Sequence, residues 1–507
     1  MGLPMAPYEN GRKRGYDDID SGVPSKRSPN DVVDKFIKLR DAILEKGKKK
    51  TLTALKELLM DIKDSTFILS EVAKQTTHLF ITKLLTLYTC TQSTVDLTIY
   101  EILRIFSVGV KFNLKALHPL VFGPTTEQHY SLLLKLGRAV HICPKADEVL
   151  AGLDQALLWE TGRFASVFNP NTYNQQQTHL YDPRYISFML LEMVEAGSEL
   201  NLRGFVEKNG LSFAAFLTSH DDANLRATGY AILSEYLLLL KDLSSDAFEE
   251  RPLFIYALQY FKNNLKALNT RVSNAVAHFF ARVFKVFLTP EDPVFPKIAA
   301  FLAVKRDFNV NAVPEFLRML LSTSTLAYKN EREWMLNLVK DSIFTPRDFH
   351  VLEQQNGTSL CLSLFASPFC DRSTMRQILY LLKRLVSIPS VAKDLCIRLN
   401  FHTWLLTTIR QCKLTRWEIG FLTQIFVEYG TAIQRICFES VEFGEPLTGG
   451  PLRKEMLIKA SIRKLQKIVD DQEDEVKTNW SVKLAELGQA WVKPANFVPV
   501  NADAIVV

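Results

Sequence analysis

The stretch from residue 209 to residue 242 contains two apolar segments separated by a short polar turn. In the second segment apolar groups recur at helical spacing, at Leu225, Ile232, Tyr236 and Leu239. Asp221 or Asp222 can cap this second helix by accepting hydrogen bonds from its free N–H groups. Two short helices joined by a tight turn cannot bury both apolar faces alone, so such a pair requires similar neighbours. The pattern predicts an all-α fold, an α-solenoid of HEAT- or armadillo-like helix pairs.

Comparable helix pairs follow along the chain at intervals of roughly 40 residues, the spacing of HEAT and armadillo repeats. Further predicted helices lie at 51–62, 66–91, 95–107, 356–366, 372–386, 390–411 and 416–430. The run from Asp222 to Arg226, followed by Ala227 and Ala231, is similar to the D-x-x-V-R-x-x-A pattern of HEAT repeats. The repeat is architectural, since no sequence motif recurs cleanly.

Changes in composition divide the chain into five predicted regions. Residues 1–30 are rich in Pro, Gly, Ser and charge, which predicts a disordered basic arm. The others are a helical region at 31–160, a polar linker or long loop at 161–182, a helical-repeat module at 183–440, and a helix, acidic run and tail at 441–507.

The positive charge is concentrated near the start of the chain. The formal net charge is +6, and residues 1–50 alone hold 12 Lys/Arg against 8 Asp/Glu. The remaining residues are therefore nearly neutral, which excludes a uniformly basic nucleic-acid binder and leaves local patches or the arm. No apolar run reaches the ~20 residues that a membrane-spanning helix needs. The first residues also lack the apolar core of a secretory signal.

Recognisable enzyme motifs are missing from the sequence, including phosphate-binding loops, nucleophile elbows and the HExxH zinc motif. None of the seven cysteines forms a CxxC pair, which favours reduced, core-packing thiols. His220 is expected to be exposed in its turn, and His278 to be a hydrogen-bonded core residue. The carboxylates of Glu331, Glu333 and Asp341 are expected on helix surfaces. The spacing of the aromatic helix at 276–287 favours a buried face over base stacking. We expect no metal, no cofactor and no small-molecule substrate.

Two sets of basic residues are candidate sites. The first resembles a bipartite nuclear localisation signal read by an import receptor, and it comprises Arg12, Lys13, Arg14, Lys26 and Arg27. The alternative is a solvated charge run. The second precedes the first strong helix and comprises Lys46, Lys48, Lys49 and Lys50. These lysines could contact phosphate, or they could equally be a soluble helix entrance.

A series of short motifs over residues 180–410 carries a resemblance to a known family. They are Leu180-Tyr181-Asp182-Pro183, Asn209-Gly210-Leu211, Ser219-His220-Asp221, Arg226-Ala227 with Tyr230, Ala231 and Leu233, Glu331 to Leu336, Phe365 with Ser367 to Asp371, and Trp404-Leu405. Their order and spacing resemble the C-terminal module of the nucleolar pre-ribosomal-associated protein 1 family. The resemblance implies a non-enzymatic nucleolar scaffold of pre-60S particles. It also implies pre-rRNA and assembly factors, including an RNA helicase, as partners.

Two other functions remain open at this stage. A generic HEAT-like adaptor in nuclear transport, trafficking or signalling would have the same fold with a different partner. An unrecognised enzyme is the third alternative, although catalysis needs polar groups that converge in a pocket and none is evident from the sequence.

Overall fold

The computed structural model describes residues 29–109, 146–170, 177–195, 199–244, 247–323, 325–411, 413–442, 461–463, 465–466 and 482–489. Within these ranges the regular elements are helices, and the β-pairing is one isolated bridge between Thr91 and Tyr181. The predicted all-α class is therefore confirmed, while the solenoid arrangement stays a prediction. The chain divides into two compact units, residues 1–310 (unit 1) and 311–507 (unit 2).

The first helices of unit 1 pack around three phenylalanines. They are α1 (Pro29–Glu45), α2 (Lys49–Ile62), α3 (Thr66–Gln75), α4 (His78–Leu87) and α5 (Thr94–Val108). Phe36, Phe80 and Phe106 come from α1, α4 and α5, and their ring centroids lie 6.1–6.3 Å apart in edge-to-face contacts. All three side chains are fully buried, so this cluster is the core of the region.

The remainder of unit 1 surrounds a short helix that is buried on all sides. The helices are α6 (Ala146–Ala151), α7 (Gln155–Phe164), α8 (Pro183–Val194), α9 (Leu202–Glu207), α10 (Gly210–Leu217), α11 (Ala223–Asp242), α12 (Arg251–Asn263), α13 (Asn274–Phe287) and α14 (Phe295–Val304). All residues of α10 are buried, because α7, α11 and α13 pack against it. The α11 contact is close: a Cβ on Gly229 would lie 2.7 Å from Leu217 Cβ. Only glycine allows this approach.

The aromatic helix α13 is a core element, as its spacing predicted. Its phenylalanines at 279, 280, 284 and 287 are at most 1% exposed. Phe261 of α12 contacts Phe280 at 4.6 Å, and Phe301 of α14 contacts Phe279 at 5.2 Å between ring centroids. These faces are therefore closed to any ligand.

The polar segment 161–182 is partly integrated into unit 1. Among its described residues, Leu180 and Asp182 are buried. Gln92 N donates to the Leu180 carbonyl over 2.9 Å, and Asp182 N donates to the Cys90 carbonyl over 2.8 Å. These bonds attach the start of α8 to the turn after α4. The division into five regions stays a prediction.

Unit 2 contains the helices α15 (Phe316–Leu321), α16 (Tyr328–Ser342), α17 (Pro346–Glu353), α18 (Gly357–Phe365), α19 (Arg372–Val386), α20 (Pro389–Leu399), α21 (Phe401–Gln411) and α22 (Arg416–Glu442). The three long helices α16, α19 and α22 begin at residues 328, 372 and 416, which are 44 residues apart each time. This interval lies in the range expected for HEAT and armadillo repeats. Helix α19 packs against α16 and α22.

Side-chain caps fix where these helices begin. Asp371 accepts from Thr374 N at the start of α19, over 3.0 Å. Thr345 and Asp348 form a reciprocal capping box at the start of α17. Each cap satisfies N–H groups that have no partner within the helix, so the loop sequence sets the first turn.

Candidate nucleic-acid interface

The lysine cluster at 46–50 lies on the surface between α1 and α2. All four lysines are exposed. Lys49 Nζ donates to Thr94 Oγ1 over 3.0 Å, while Lys46, Lys48 and Lys50 form no ion pair among the described residues. Three ammonium groups therefore face solvent from the α1–α2 loop and the first turn of α2, an arrangement suited to phosphate contacts without base readout.

The backbone of this loop is held by packing. The Lys48 carbonyl accepts from Thr51 N and Leu52 N at the first turn of α2. A Cβ on Gly47 would lie 2.2 Å from Leu87 Cδ1 of α4, so the loop passes directly over that side chain. The lysines thus project from a loop that the protein core positions.

The candidate localisation residues Arg12, Lys13, Arg14, Lys26 and Arg27 lie outside the described residues. Their role as an import signal stays a prediction.

The HEAT-like motif residues hold the α10–α11 turn in place. Asp222 is the cap of α11 and accepts from Asn224 N over 2.7 Å. Asp221 instead pairs with Arg271 over 2.7 Å. Arg226 Nη1 donates to the His220 carbonyl, and its Nε to the Asn269 carbonyl, each over 2.8 Å. These polar groups are occupied in joining the helix pair to its neighbours, so they serve the architecture.

The expectation that His220 is exposed is wrong. The side chain is 4% exposed, and its Nδ1 accepts from Asp222 N over 2.8 Å. The turn packs against other residues of unit 1, and the centroid of the His220 ring lies 6.5 Å from that of Phe168. Burial lowers the pKa of His220.

His278 is a core residue, as predicted. It is fully buried, its ring lies 4.7 Å from that of Phe216, and Arg282 Nη1 lies 3.4 Å from its Nδ1. Burial holds the pKa of His278 well below its usual range, and the charges of Arg282 and Arg163 lower it further. The imidazole is therefore neutral at neutral pH.

This burial predicts a pH dependence of stability. Since the folded-state pKa of His278 lies below the unfolded value of about 6.5, the unfolded chain binds the proton more strongly. The free energy of unfolding of unit 1 is expected to fall, as pH drops below about 6.5, by up to about 1.4 kcal/mol per pH unit from this group. Urea unfolding of wild type and His278→Phe between pH 7 and pH 5 measures it. If the free energy of unfolding falls equally with pH in the two proteins, His278 is not the source of the pH dependence.

The expectation that Glu331 lies on an exposed helix surface is wrong. Glu331 is 2% exposed and accepts from Thr325 Oγ1 over 2.7 Å, and the neighbouring Arg332 is 1% exposed. The side chains of Glu333 and Asp341 are partly exposed. The burial of Glu331 and Arg332 could not be predicted from the spacing of apolar residues, because charged residues on helices are normally exposed.

The described cysteines are packing residues. Cys90, Cys361 and Cys396 are buried, and Cys370 is partly buried. Burial raises the pKa of the Cys361 and Cys370 thiols to about 12, which makes them poor nucleophiles and poor metal ligands. Across the described ranges, no group of three or more His, Cys, Asp or Glu side chains could hold a metal ion.

Of the helices in the part of the chain that the structure describes, none combines the length and apolarity needed to span a bilayer.

Residues 211–404 match the family model described as nucleolar pre-ribosomal-associated protein 1. The chain is 26% identical to mouse nucleolar pre-ribosomal-associated protein 1 over 370 residues, which is 70% of this chain and 16% of the relative. The human protein of that name is 23% identical over 373 residues, 71% of this chain and 16% of the relative. The family resemblance read from the motifs is thereby confirmed, and the chain spans about one sixth of the length of these relatives.

The crystal structure of an engineered protein aligns with 90% of this chain and 99% of its own, at a TM-score of 0.28 and 11% identity. A TM-score of this size carries no argument about the fold.

Proposed function

Since residues 211–404 match the nucleolar pre-ribosomal-associated protein 1 family, we propose that this chain is a non-enzymatic scaffold in early assembly of the large (60S) ribosomal subunit. It acts in the nucleolus and supports pre-rRNA processing within pre-60S particles. The nucleolar location agrees with the names of the mouse and human relatives.

The observation that carries this proposal is the role of three polar residues within the matched range 211–404. Arg226 and Arg332 donate to backbone carbonyls of neighbouring segments, and Asp222 caps a helix. These side chains form hydrogen bonds that join helices to their neighbours. The outward faces of the helices therefore remain available to bind partners. Such a module works by holding several molecules at fixed positions.

The partners proposed for the module are pre-ribosomal proteins, assembly factors (an RNA helicase among them) and pre-rRNA. The lysines at 46, 48 and 50 supply phosphate contacts that do not read sequence. The basic residues at 12–14 and 26–27 are proposed to engage an import receptor.

Depletion of the chain in cells tests the scaffold function. Large-subunit rRNA is expected to fall while small-subunit rRNA is spared, because only pre-60S assembly loses its support. Re-expression of the tagged wild-type chain should restore the ratio and give nucleolar signal. A form lacking residues 10–28 should accumulate less in the nucleus. An unchanged ratio of the two rRNAs after depletion would reject the proposal.

A further inference from the structure

Three aromatic side chains of unit 2 lie together on the outer face of α19 and α22. Trp417 and Phe421, one turn apart on α22, stack with ring centroids 5.0 Å apart and planes 27° apart. Tyr380 of α19 meets Phe421 edge-on at 5.3 Å and Trp417 at 6.2 Å. Trp417 is 43% exposed and Tyr380 is 40% exposed. The rings therefore form a contiguous apolar patch that is partly exposed to solvent.

A cationic side chain lies close to each of these three rings. The Arg376 guanidinium lies 5.5 Å from the centroid of Trp417, and Lys383 Nζ lies 5.4 Å from that of Phe421. Lys340 Nζ of α16 lies 5.8 Å from the centroid of Tyr380. Because the cations come from α16 and α19 and the rings from α19 and α22, all three helices contribute to this surface. We call these six residues the aromatic–basic surface.

The nearby carboxylates leave positive charge available on this surface. Lys383 lies 3.8 Å from Glu428, and Lys340 lies 4.0 Å from Asp341, both at the outer limit of an ion pair. Glu418 is fully buried and accepts from Arg372 and from Thr415 N. No ion pair of Arg376 with a carboxylate occurs among the described residues.

We propose that the aromatic–basic surface binds single-stranded RNA, with bases stacked on Trp417 and Tyr380 and phosphates beside Arg376, Lys383 and Lys340. Single-stranded RNA presents π-faces and negative charges alternately along one strand, which is the pattern of rings and cations on this surface. An acidic peptide would match the cations but not the exposed rings. The inference rests on the proposed function in that it names the part of the module that contacts RNA.

Trp417→Ala/Phe421→Ala in the full chain tests the stacking. Its affinity for a fluorescent single-stranded 12-mer RNA, measured by anisotropy, is expected to fall about tenfold or more. Affinity for a duplex of the same sequence should be unchanged, because paired bases are already stacked. Phe369→Ala is the matched control, since that ring is 75% exposed and lies outside the surface; it should bind like wild type.

Arg376→Gln/Lys383→Gln tests the phosphate contacts while keeping the rings. The slope of log affinity against log salt for the single strand should decrease by about 1.4, at about 0.7 per lost phosphate contact. Lys393→Gln, an exposed lysine on α20, is the control and should leave the slope unchanged. Because these substitutions affect solvent-facing charges, they keep the test valid if the double alanine variant fails to fold.

Unchanged single-strand affinity in both double variants would overturn the inference. So would equal losses for single strand and duplex, since stacking would not explain them. If the variants instead lose binding to anionic vesicles or an acidic peptide while keeping RNA affinity, the surface belongs to that partner. If the variants bind RNA normally and depletion of the chain still lowers large-subunit rRNA, the RNA-binding role of this surface is rejected and the scaffold function stands. If the variants lose RNA affinity and depletion leaves the ratio of the two rRNAs unchanged, the scaffold function is rejected and the RNA-binding role stands.

Discussion

Replacing Arg332 by methionine is expected to lower the free energy of unfolding of unit 2 by about 3–5 kcal/mol. The guanidinium is 1% exposed; its Nε donates to the Leu320 carbonyl over 2.9 Å and its Nη1 to the Phe369 carbonyl over 3.3 Å. Nη1 also lies 3.8 Å from Asp371 Oδ2. One side chain thus joins α15, α16 and the loop that leads into α19.

Methionine preserves much of the volume but removes every donor. The buried Leu320 carbonyl and the partly buried Phe369 carbonyl then each lose a hydrogen bond from a charged donor, at a cost of about 1.5–3 kcal/mol each, and Asp371 loses a neighbouring cation. Arg332→Lys should be intermediate, because an ammonium keeps the charge but not the planar set of donors.

Urea unfolding of the full chain, with hydrogen exchange of peptides within 316–386 to localise the effect, measures this loss. The matched control is Arg410→Met on α21, where the arginine is exposed and forms no ion pair among the described residues. An exposed substitution of this kind should change the free energy of unfolding by at most about 1 kcal/mol. Equal losses in the two variants would show that Arg332 is not a structural centre of unit 2.

Helices with a clear cap and apolar period were predictable from the sequence. The predicted segment 372–386 coincides with Arg372–Val386, since Asp371 caps its first turn. The predicted start at 416 coincides with that of α22, and 356–366 differs from Gly357–Phe365 by one residue at each end. In these places the local signals and the packing agree.

Two predicted helices are in fact pairs, because the breaks depend on single residues. The predicted helix 390–411 is interrupted at Asn400, which adopts a left-handed conformation with φ of 47° between α20 and α21. The predicted helix 66–91 divides between Gln75 and His78, where Thr77 accepts from Phe80 N and starts α4. Apolar spacing continues across both breaks, so periodicity alone does not reveal them.

The surfaces were harder to predict than the helices. The lysine cluster was found because its residues are adjacent in sequence. The aromatic–basic surface was missed because it combines residues about 40 apart, such as Lys340, Tyr380 and Trp417. The available signal was the i, i+4 spacing of Arg376 with Tyr380 and of Trp417 with Phe421, on helices that start 44 residues apart. Recognising it requires knowing that α16, α19 and α22 pack side by side.

In unit 1 the largest loss is expected from Asp182→Ala, again about 3–5 kcal/mol. Asp182 is fully buried; its Oδ1 accepts from Arg184 N over 2.9 Å as the cap of α8, and its Oδ2 accepts from Arg184 Nη2 over 2.6 Å. The guanidinium of Arg184 lies 3.8 Å from the centroid of the Tyr100 ring and 3.4 Å from Glu101, both on α5.

Alanine removes the cap of α8 and leaves a largely buried cation with Glu101 as its remaining carboxylate partner. Asp182→Asn should lose less, because an amide oxygen can still cap the helix, which accounts for about 1 kcal/mol of the difference. The matched control is Asp41→Ala, which removes a 55% exposed partner of Arg40 and should cost at most about 1 kcal/mol. Urea unfolding with hydrogen exchange in α5 and α8 measures all three. If Asp182→Ala destabilises no more than Asp41→Ala, this buried pair does not hold α8 against α5.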